Sequence, residues 1–175
     1  MKRPWITLAL FLLALAAPAL ADDATPPAPA GNAAQATMQA AMQHVVLNAK
    51  SLKWMDAPDG LPKGAKLTVL AGDPGAAALY TVRLQIPAGY KVMPHFHPTD
   101  ENITVISGDF GIGSGDKFDA KGPTLAAGDF TSMPAQMHHF AWTKKGAVIQ
   151  IHGMGPFQIT YINPSDDPRA TAAAK

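Results

Sequence analysis

The stretch GYKVMPHFHPTDENITVISG, residues 89–108, contains two histidines one residue apart, followed by a glutamate. Its Val, Ile, Thr and Phe content is typical of β-strands, in which alternate side chains point to the same face. We therefore expect His95 and His97 to project together. The Pro-Thr-Asp sequence that follows predicts a turn, which would bring Glu101, the only glutamate of the chain, back on an adjacent strand. Two imidazoles and a carboxylate are suitable ligands for one divalent transition metal with open coordination positions.

A fourth ligand is expected from elsewhere in the chain. The segment PAQMHHFAW, residues 134–142, contains His138 and His139, which are adjacent and would point to opposite faces of a strand. Only one of them can easily join the cluster, and His152 is a further candidate. The identity of the metal stays open, because Fe, Mn, Zn, Ni and Cu all accept imidazole and carboxylate ligands.

Short segments rich in Val, Ile, Thr, Phe and Tyr, separated by Gly, Pro and Asp clusters, occupy residues 44–165. This pattern predicts one all-β domain, either a sandwich or a barrel. In LYTVRLQI, residues 79–86, apolar and polar side chains alternate, and the even-numbered side chains form the better core face. The segment HVVLNAKSLKW, residues 44–54, is a candidate exposed edge strand through which the chain could form a homodimer.

The first 21 residues have the layout of a secretory signal peptide. Lys2 and Arg3 precede an apolar run, which ends in Ala-Leu-Ala with cleavage expected after Ala21. The apolar run is shorter than a comfortable membrane span of about 20 residues, so we expect no stable membrane insertion after cleavage. Residues 22–43 are rich in Ala and Pro, which predicts a flexible tether, and residues 166–175 are expected to form a loose tail. The predicted location is therefore periplasmic or secreted.

The composition excludes one class of partner and one class of ligand. Removal of the signal peptide takes Lys2 and Arg3 from fourteen Lys and Arg, which leaves twelve against thirteen Asp and Glu, a formal net charge of −1. Such a chain lacks the clustered cations that binding of nucleic acid requires. It also contains no cysteine, so no disulfide supports the fold and no thiolate can bind a metal.

The two histidine-containing stretches resemble the sequence motifs of the cupin superfamily. The first cupin motif, G-x5-H-x-H-x3-E-x6-G, is matched at all of its fixed positions, which are Gly89, His95, His97, Glu101 and Gly108. The second motif, G-x5-P-x-G-x2-H-x3-N, is matched at Gly128, Pro134 and His139. The chain departs from it at Gln136, where the motif has Gly, and at Thr143, where the motif has Asn.

This resemblance implies a small single-domain cupin over residues 44–165. The implied fold is a β-barrel of six to eight strands in the jelly-roll arrangement, also described as a double-stranded β-helix. The resemblance also implies one divalent transition metal inside the barrel, held by His95, His97, Glu101 and His139. Further side chains could support the ligands or line the pocket, namely His138, His152, Met93, Phe140 and Trp142.

The cupin resemblance leaves two kinds of function open. The first is an oxygenase or isomerase, in which the metal acts on a small polar organic molecule. The second is a non-catalytic periplasmic module that binds or senses a metal or a small ligand. No acid or base beyond the four implied ligands stands out in the sequence, and a fold alone does not select a reaction.

Overall fold

The computed structural model describes residues 44–172. The predicted signal peptide, residues 1–21, and the predicted tether, residues 22–43, lie outside the described residues. Within the part that is described, no helix is long and apolar enough to span a membrane.

Eleven strands run through the described residues and form two antiparallel sheets. The strands are β1 (Met55–Asp56), β2 (Lys66–Gly72), β3 (Leu79–Ile86), β4 (Lys91–Phe96), β5 (Glu101–Gly108), β6 (Phe110–Ser114), β7 (Thr124–Leu125), β8 (Phe130–Met133), β9 (His139–Trp142), β10 (Ala147–Met154) and β11 (Thr160–Tyr161). The order is β1-β2-β3-β10-β5-β8 in the first sheet and β11-β4-β9-β6-β7 in the second. These two sheets form a jelly roll, so the predicted all-β fold is confirmed.

The core lies between the two sheets and is built from alternating side chains. In β3 and β10 every second side chain is buried, as the sequence pattern of residues 79–86 predicts. The two strands are paired so that Val82 lies opposite Ile151 and Leu84 lies opposite Ile149, and all four side chains are buried. Burial of one such aliphatic side chain contributes about 1.5–3 kcal/mol to folding. The alternation therefore determines which face of this sheet turns towards the barrel interior.

The turn after His97 does not form a hairpin. β4 belongs to the second sheet and β5 to the first, so the chain passes from one sheet to the other at this point. The prediction that Glu101 returns on an adjacent strand is therefore wrong. The physical reason is that β4 pairs with β9 and β11, and β5 pairs with β8 and β10, which leaves neither strand an edge for the other. As a result, Glu101 faces the histidines from across the barrel.

The loop formed by residues 57–65 attaches the first sheet to the second. The Tyr90 hydroxyl donates a hydrogen bond to the Pro62 carbonyl, and the Tyr161 hydroxyl donates one to the Gly60 carbonyl at 2.9 Å. Burial raises the pKa of both phenols, so each stays a protonated donor. These two bonds hold the loop against the side of the barrel.

The outer face of the second sheet carries a second apolar cluster. The rings of Phe118, Phe140 and Trp142 lie 5.2–6.0 Å apart, and Phe140 and Trp142 are buried although they point away from the barrel interior. The loop between β6 and β7 supplies Phe118 as their cover. Gly111 and Gly113 lie directly beneath the rings, because a Cβ there would come within 2.0 Å and 2.4 Å of ring atoms. The glycines of β6 thus make room for the aromatic side chains.

The segment formed by residues 44–54 contains no strand, so the prediction of an edge strand there is wrong. A short 3-10 turn over Ala49–Ser51 interrupts it, and the Asn48 side chain accepts a hydrogen bond from the Lys50 amide at 2.9 Å. This side-chain bond offers the backbone an alternative to strand pairing. Formation of a homodimer stays a prediction.

The chain after β11 folds into two short elements. A 3-10 turn covers Pro164–Asp166, and helix α1 covers Pro168–Ala172. Arg169 donates from Nη2 to the Ile159 carbonyl at 3.0 Å and forms an ion pair with Asp167 at 2.7 Å. These contacts attach the beginning of the tail to the barrel. The prediction of a loose tail over residues 166–175 did not foresee this attachment. The domain boundary at residue 165 stays a prediction.

Candidate metal centre

Three histidines meet inside the barrel. His95 in β4 and His139 in β9 lie directly opposite each other in the strand pairing, and their ring centroids are 4.2 Å apart. His97 follows the end of β4, on the same face as His95, and its ring is 5.0 Å from that of His95 and 5.3 Å from that of His139. All three are buried, and their ligand atoms lie within 4.8 Å of one another. Such a group of imidazoles can hold a metal ion.

Two of the histidines are oriented by their own strands. The Nδ1 atom of His95 is 2.7 Å from the Met93 carbonyl, and that of His139 is 2.9 Å from the Met137 carbonyl. A carbonyl can only accept, so the proton of each neutral imidazole must be on Nδ1. The Nε2 atom of each ring therefore carries a lone pair. A backbone acceptor behind a ring nitrogen is the usual orienting contact of a metal-bound histidine.

His97 is oriented by a residue far away in the sequence. Its Nδ1 atom donates to the Gln158 carbonyl at 2.6 Å, which leaves the lone pair on Nε2. The Nε2 atoms of His97 and His139 are buried and have no hydrogen-bond partner. Burial of a polar atom without a partner is costly, and such atoms are rare in folded proteins. A bound cation would satisfy both.

Glu101, the first residue of β5, brings the only carboxylate to this cluster. Its Oε2 atom lies 3.5 Å from Nε2 of His97 and 3.4 Å from Nε2 of His139. With the protons on Nδ1, all three atoms present lone pairs to one another. Facing lone pairs repel unless a cation lies between them. The donor set of three imidazoles and one carboxylate therefore fits a divalent transition metal.

The electrostatics of the cluster favour the metal-binding forms of two of its members, His95 and Glu101. Burial, followed by the neighbouring His139 and His97, lowers the pKa of His95 to about 3, so this imidazole is neutral at neutral pH. Burial opposes ionisation of Glu101, but positive charge at the neighbouring His139 and His97 outweighs it, as a bound cation would. The pKa of this carboxyl therefore lies below its usual range. Neutral imidazoles and an ionised carboxylate are the forms that bind a metal.

The rest of the cavity around the cluster is apolar. Its volume is about 40 Å³, counted as the space open to the centre of a water molecule. Among the side chains that line it are Leu84, Ile103, Phe110, Ile112, Ile149 and Ile151. Among the described residues that line it, Glu101 is the only one with a carboxylate, and none is Lys or Arg. Interactions between charges are strong in such surroundings, because little water screens them.

The structure places the residues predicted to support the ligands or line the pocket in different parts of the fold. Trp142 borders the cavity although its ring packs in the outer aromatic cluster, and Met93 supports His95 through its backbone carbonyl. Phe140 is buried in the outer aromatic cluster and does not line the cavity, which corrects that part of the prediction. The reason is the alternation of β9, which points every second side chain away from the interior.

The other two predicted histidines lie outside the cavity. His138 bonds through Nδ1 to the Asp116 carboxylate at 2.6 Å, and its ring stacks on Phe96. His152 is exposed on β10, where its neighbours Ile151 and Gly153 are buried. Neither residue contributes to the cluster, so this part of the prediction is wrong for both. Strand alternation points the His152 ring outwards, whereas His138 precedes β9 and is held by Asp116.

Two contacts that hold His97 in place escaped the sequence analysis. Gln158 supplies the carbonyl that orients His97, and Phe157 stacks its ring on that of His97 at 5.0 Å. Both lie in the loop between β10 and β11, about 60 residues after His97. No spacing rule connects a loop carbonyl to a histidine so far away in the sequence.

The comparisons with known structures show the fold class, which is cupin. The polyketide cyclase RemF from Streptomyces resistomycificus is 16% identical, with a TM-score of 0.61 over 74% of this chain and 93% of its own. An acetylacetone dioxygenase from Acinetobacter johnsonii is 15% identical, with a TM-score of 0.53 over 71% and 80%. An RmlC-like cupin from Shewanella frigidimarina NCIMB 400 is 20% identical, with a TM-score of 0.50 over 64% and 90%.

At these identities the similarity shows the fold alone. The family described as "Domain of unknown function (DUF4437)" matches residues 23–160, which is most of the chain. The chain therefore belongs to the DUF4437 family and has the cupin fold that the motifs predict. No curated protein matches the sequence.

Proposed function

We propose that this protein is a metal-dependent cupin that acts on a small oxygen-bearing organic molecule, by oxygenase- or isomerase-type chemistry. His95, His97, His139 and Glu101 would hold one divalent transition metal. The observation that carries the proposal is the orientation of the three rings. Each binds a backbone carbonyl through Nδ1, and two of the Nε2 atoms are buried beside the Glu101 carboxylate without a partner.

The charge balance of the cavity indicates the kind of ligand. Three neutral imidazoles and one carboxylate contribute a single negative charge, so a divalent ion among them leaves one positive charge uncompensated. The apolar walls provide no other anion. A buried charge without a partner is unfavourable, and a monoanion would neutralise it. We therefore infer that the preferred ligand is a monoanion, such as a short carboxylate or an enolate.

The roles of the side chains follow from their contacts. A metal held there would supply Lewis acidity and, if it is iron, manganese or copper, redox chemistry. The carbonyls of Met93, Met137 and Gln158 keep the three rings oriented. The aliphatic walls exclude bulk water, which strengthens the electrostatic contacts of a bound ligand. The names of the dioxygenase and cyclase fold relatives motivate the choice of small carbonyl compounds for the assay.

Metal analysis of variants tests the four proposed ligands. The protein, purified without a histidine tag, should contain about one equivalent of a transition metal. His97→Ala, His139→Ala and Glu101→Gln should each lose most of it while the circular dichroism spectrum stays that of a β-protein. His152→Ala and His138→Ala are the matched controls and should keep the metal. Equal metal content in all variants, or none in any of them after reconstitution, would rule out the site.

Turnover is tested separately from metal binding. Oxygen consumption and product formation are measured with the reconstituted protein against small carbonyl, enol and phenolic compounds. We expect at least one compound to be converted at a rate that depends on the metal and is lost in Glu101→Gln. Binding of these compounds without any conversion would instead support the second candidate below.

The second candidate is a non-catalytic module that binds a small ligand through the metal. One observation favours it. Apart from the four proposed ligands, the described residues place only one titratable group, Tyr90, on the cavity wall, and its hydroxyl stays protonated and donates to the Pro62 carbonyl. General acid–base catalysis would therefore have to use a metal ligand or the bound molecule itself.

We also propose that the protein is exported. The support is the sequence of the first 21 residues alone, in which two basic residues, an apolar run and a small-residue site follow in the order of a signal peptide. The proposal places the cavity in the periplasm or outside the cell, where the metal supply differs from that of the cytoplasm.

A further inference from the structure

A single layer of side chains separates the metal cavity from a groove on the surface. The groove has a volume of about 370 Å³ and lies between residues 58–61 and 157–160, with Arg169 at its rim. Leu61, Phe157 and Ile159 line both the groove and the cavity. The wall between the two spaces is therefore one layer of side chains thick.

Of these three side chains, Phe157 is the one free to move. All residues that line the cavity are buried except Val92 and Phe157. Val92 lies in β4 and is paired with Ala141 of β9, so the sheet holds it in place. Phe157 lies in the loop between β10 and β11 and belongs to no strand.

Only the side chain of Phe157 is expected to move. Its backbone amide donates to the Pro74 carbonyl at 2.7 Å, which fixes the main chain. The ring itself stacks on His97 at 5.0 Å and meets Tyr80 edge-on at 6.0 Å. Both contacts are ring contacts without hydrogen bonds, and a rotation about χ1 would break them while the loop stays where it is.

The size of the cavity adds a limit on the ligand. A water molecule needs about 10–15 Å³ of such space, so about 40 Å³ accommodates roughly three water-sized positions. A group of the size of formate or acetate fits this space. A longer molecule would have to pass the ring of Phe157 and leave its remainder in the groove.

We propose that Phe157 is the gate and the size filter of the metal cavity, and that ligands reach the cavity from the surface groove. Small monoanions pass the ring and fit into the cavity when it closes again. Longer monoanions prevent the ring from closing, so they are excluded unless the ring is removed by substitution. This inference rests on the proposed function for the identity of the ligand, but the gate itself can be tested without any metal.

The first test uses the metal-free protein and diethyl pyrocarbonate, which modifies unprotonated imidazole nitrogens. His139 is the reporter, because its Nε2 faces the cavity and its ring makes no ring contact with Phe157. Exposed His152 is the internal standard. The rate of modification at each histidine is followed by mass spectrometry of peptides in the wild type, Phe157→Ala and Phe157→Trp. Phe130→Ala is the matched control, since Phe130 is 55% exposed on β8, away from the groove.

The gate predicts opposite effects of the two substitutions. Phe157→Ala should raise the rate at His139 at least tenfold relative to His152, and Phe157→Trp should lower it at least threefold. Phe130→Ala should leave the ratio within twofold. An unchanged ratio in Phe157→Ala would overturn the gate. A rise in both Phe157 variants would overturn it as well, because general loosening, unlike a gate, does not depend on the size of the side chain.

The second test measures the size filter in the cobalt-loaded protein. Linear carboxylates from formate to hexanoate are titrated, and binding is followed by the visible absorption of cobalt. Formate and acetate should bind the wild type at least tenfold more tightly than hexanoate, and Phe157→Ala should remove most of that preference. The same preference in both proteins would overturn the filter. Loss of cobalt binding or of any response to formate would instead contradict the proposed function, while the diethyl pyrocarbonate result decides the gate.

Discussion

Gln136 is held in a backbone conformation that suits glycine, and replacing it should stabilise the protein. Its φ is 64°, in the left-handed region, and it is the only residue other than glycine with a positive φ in the described chain. The second cupin motif has Gly at this position. A left-handed conformation costs a residue with a side chain about 1–2 kcal/mol, because Cβ approaches the following carbonyl oxygen.

The expected gain from Gln136→Gly is the difference between two effects. Relief of the backbone strain raises the free energy of unfolding by about 1–2 kcal/mol. The greater freedom of glycine in the unfolded chain lowers it by about 0.5–1 kcal/mol. The Gln136 side chain is exposed, so its loss should matter little. We expect a net stabilisation of about 0.5–1 kcal/mol, equivalent to a rise in Tm of roughly 1–4 °C for a chain of this size.

Urea unfolding followed by tryptophan fluorescence measures this difference. Gly89→Ala is the opposite experiment, because Gly89 has a φ of 77° and a Cβ there would meet nothing within 4 Å. It should destabilise the protein by about 0.5–1 kcal/mol, because backbone strain of about 1–2 kcal/mol is partly offset by the smaller freedom of alanine in the unfolded chain. If Gln136→Gly were no more stable than the wild type while Gly89→Ala lost stability, the strain assigned to Gln136 would be refuted.

Three further predictions concern the cluster, the outer face and the chain start. Between pH 6.5 and 3 the unfolded metal-free protein binds a proton at His95 that the folded protein does not, so stability should fall by about 1–2 kcal/mol from pH 7 to 5; a flat profile in urea unfolding would contradict this. Gly113→Ala should cost about 1–3 kcal/mol, because its Cβ would lie 2.4 Å from the Phe140 ring; a neutral thermal shift would disprove that packing. The intact mass of the exported protein should correspond to a chain that starts at Asp22, and retention of residues 1–21 would disprove cleavage.

The fold could be predicted from the sequence because its signals are local. Alternation in residues 79–86 marks the core face of β3, and the spacing of the first cupin motif places His95 and His97 on one face of β4. These patterns depend on the two-residue period of a strand and on turn residues, which are visible in the sequence. The same local signals could not show that β4 and β5 lie in different sheets, because strand pairing is decided by distant segments.

The parts of the site that escaped prediction depend on loops and on the outward faces of strands. The Gln158 carbonyl and the Phe157 ring reach His97 from a loop whose path follows from the pairing of β11 with β4. His152 lies on the outer face, because the pairing of β10 with β3 and β5 turns Ile151 inwards. A histidine in a strand can face either side, and only the complete sheet decides which.

X-ray absorption spectroscopy of the protein with its native metal tests the central claim most directly. The account predicts one metal per chain, with three imidazole nitrogens at about 2.0–2.1 Å and carboxylate oxygen at about 2.0–2.2 Å in the case of zinc. In His139→Ala reconstituted with excess metal, the imidazole signal of the metal that is bound should be lower by about one third, whereas His152→Ala should leave both the metal content and the signal unchanged. A first shell with fewer than two imidazoles, or a spectrum that His139→Ala leaves unchanged, would contradict the assignment of this cluster as the metal centre.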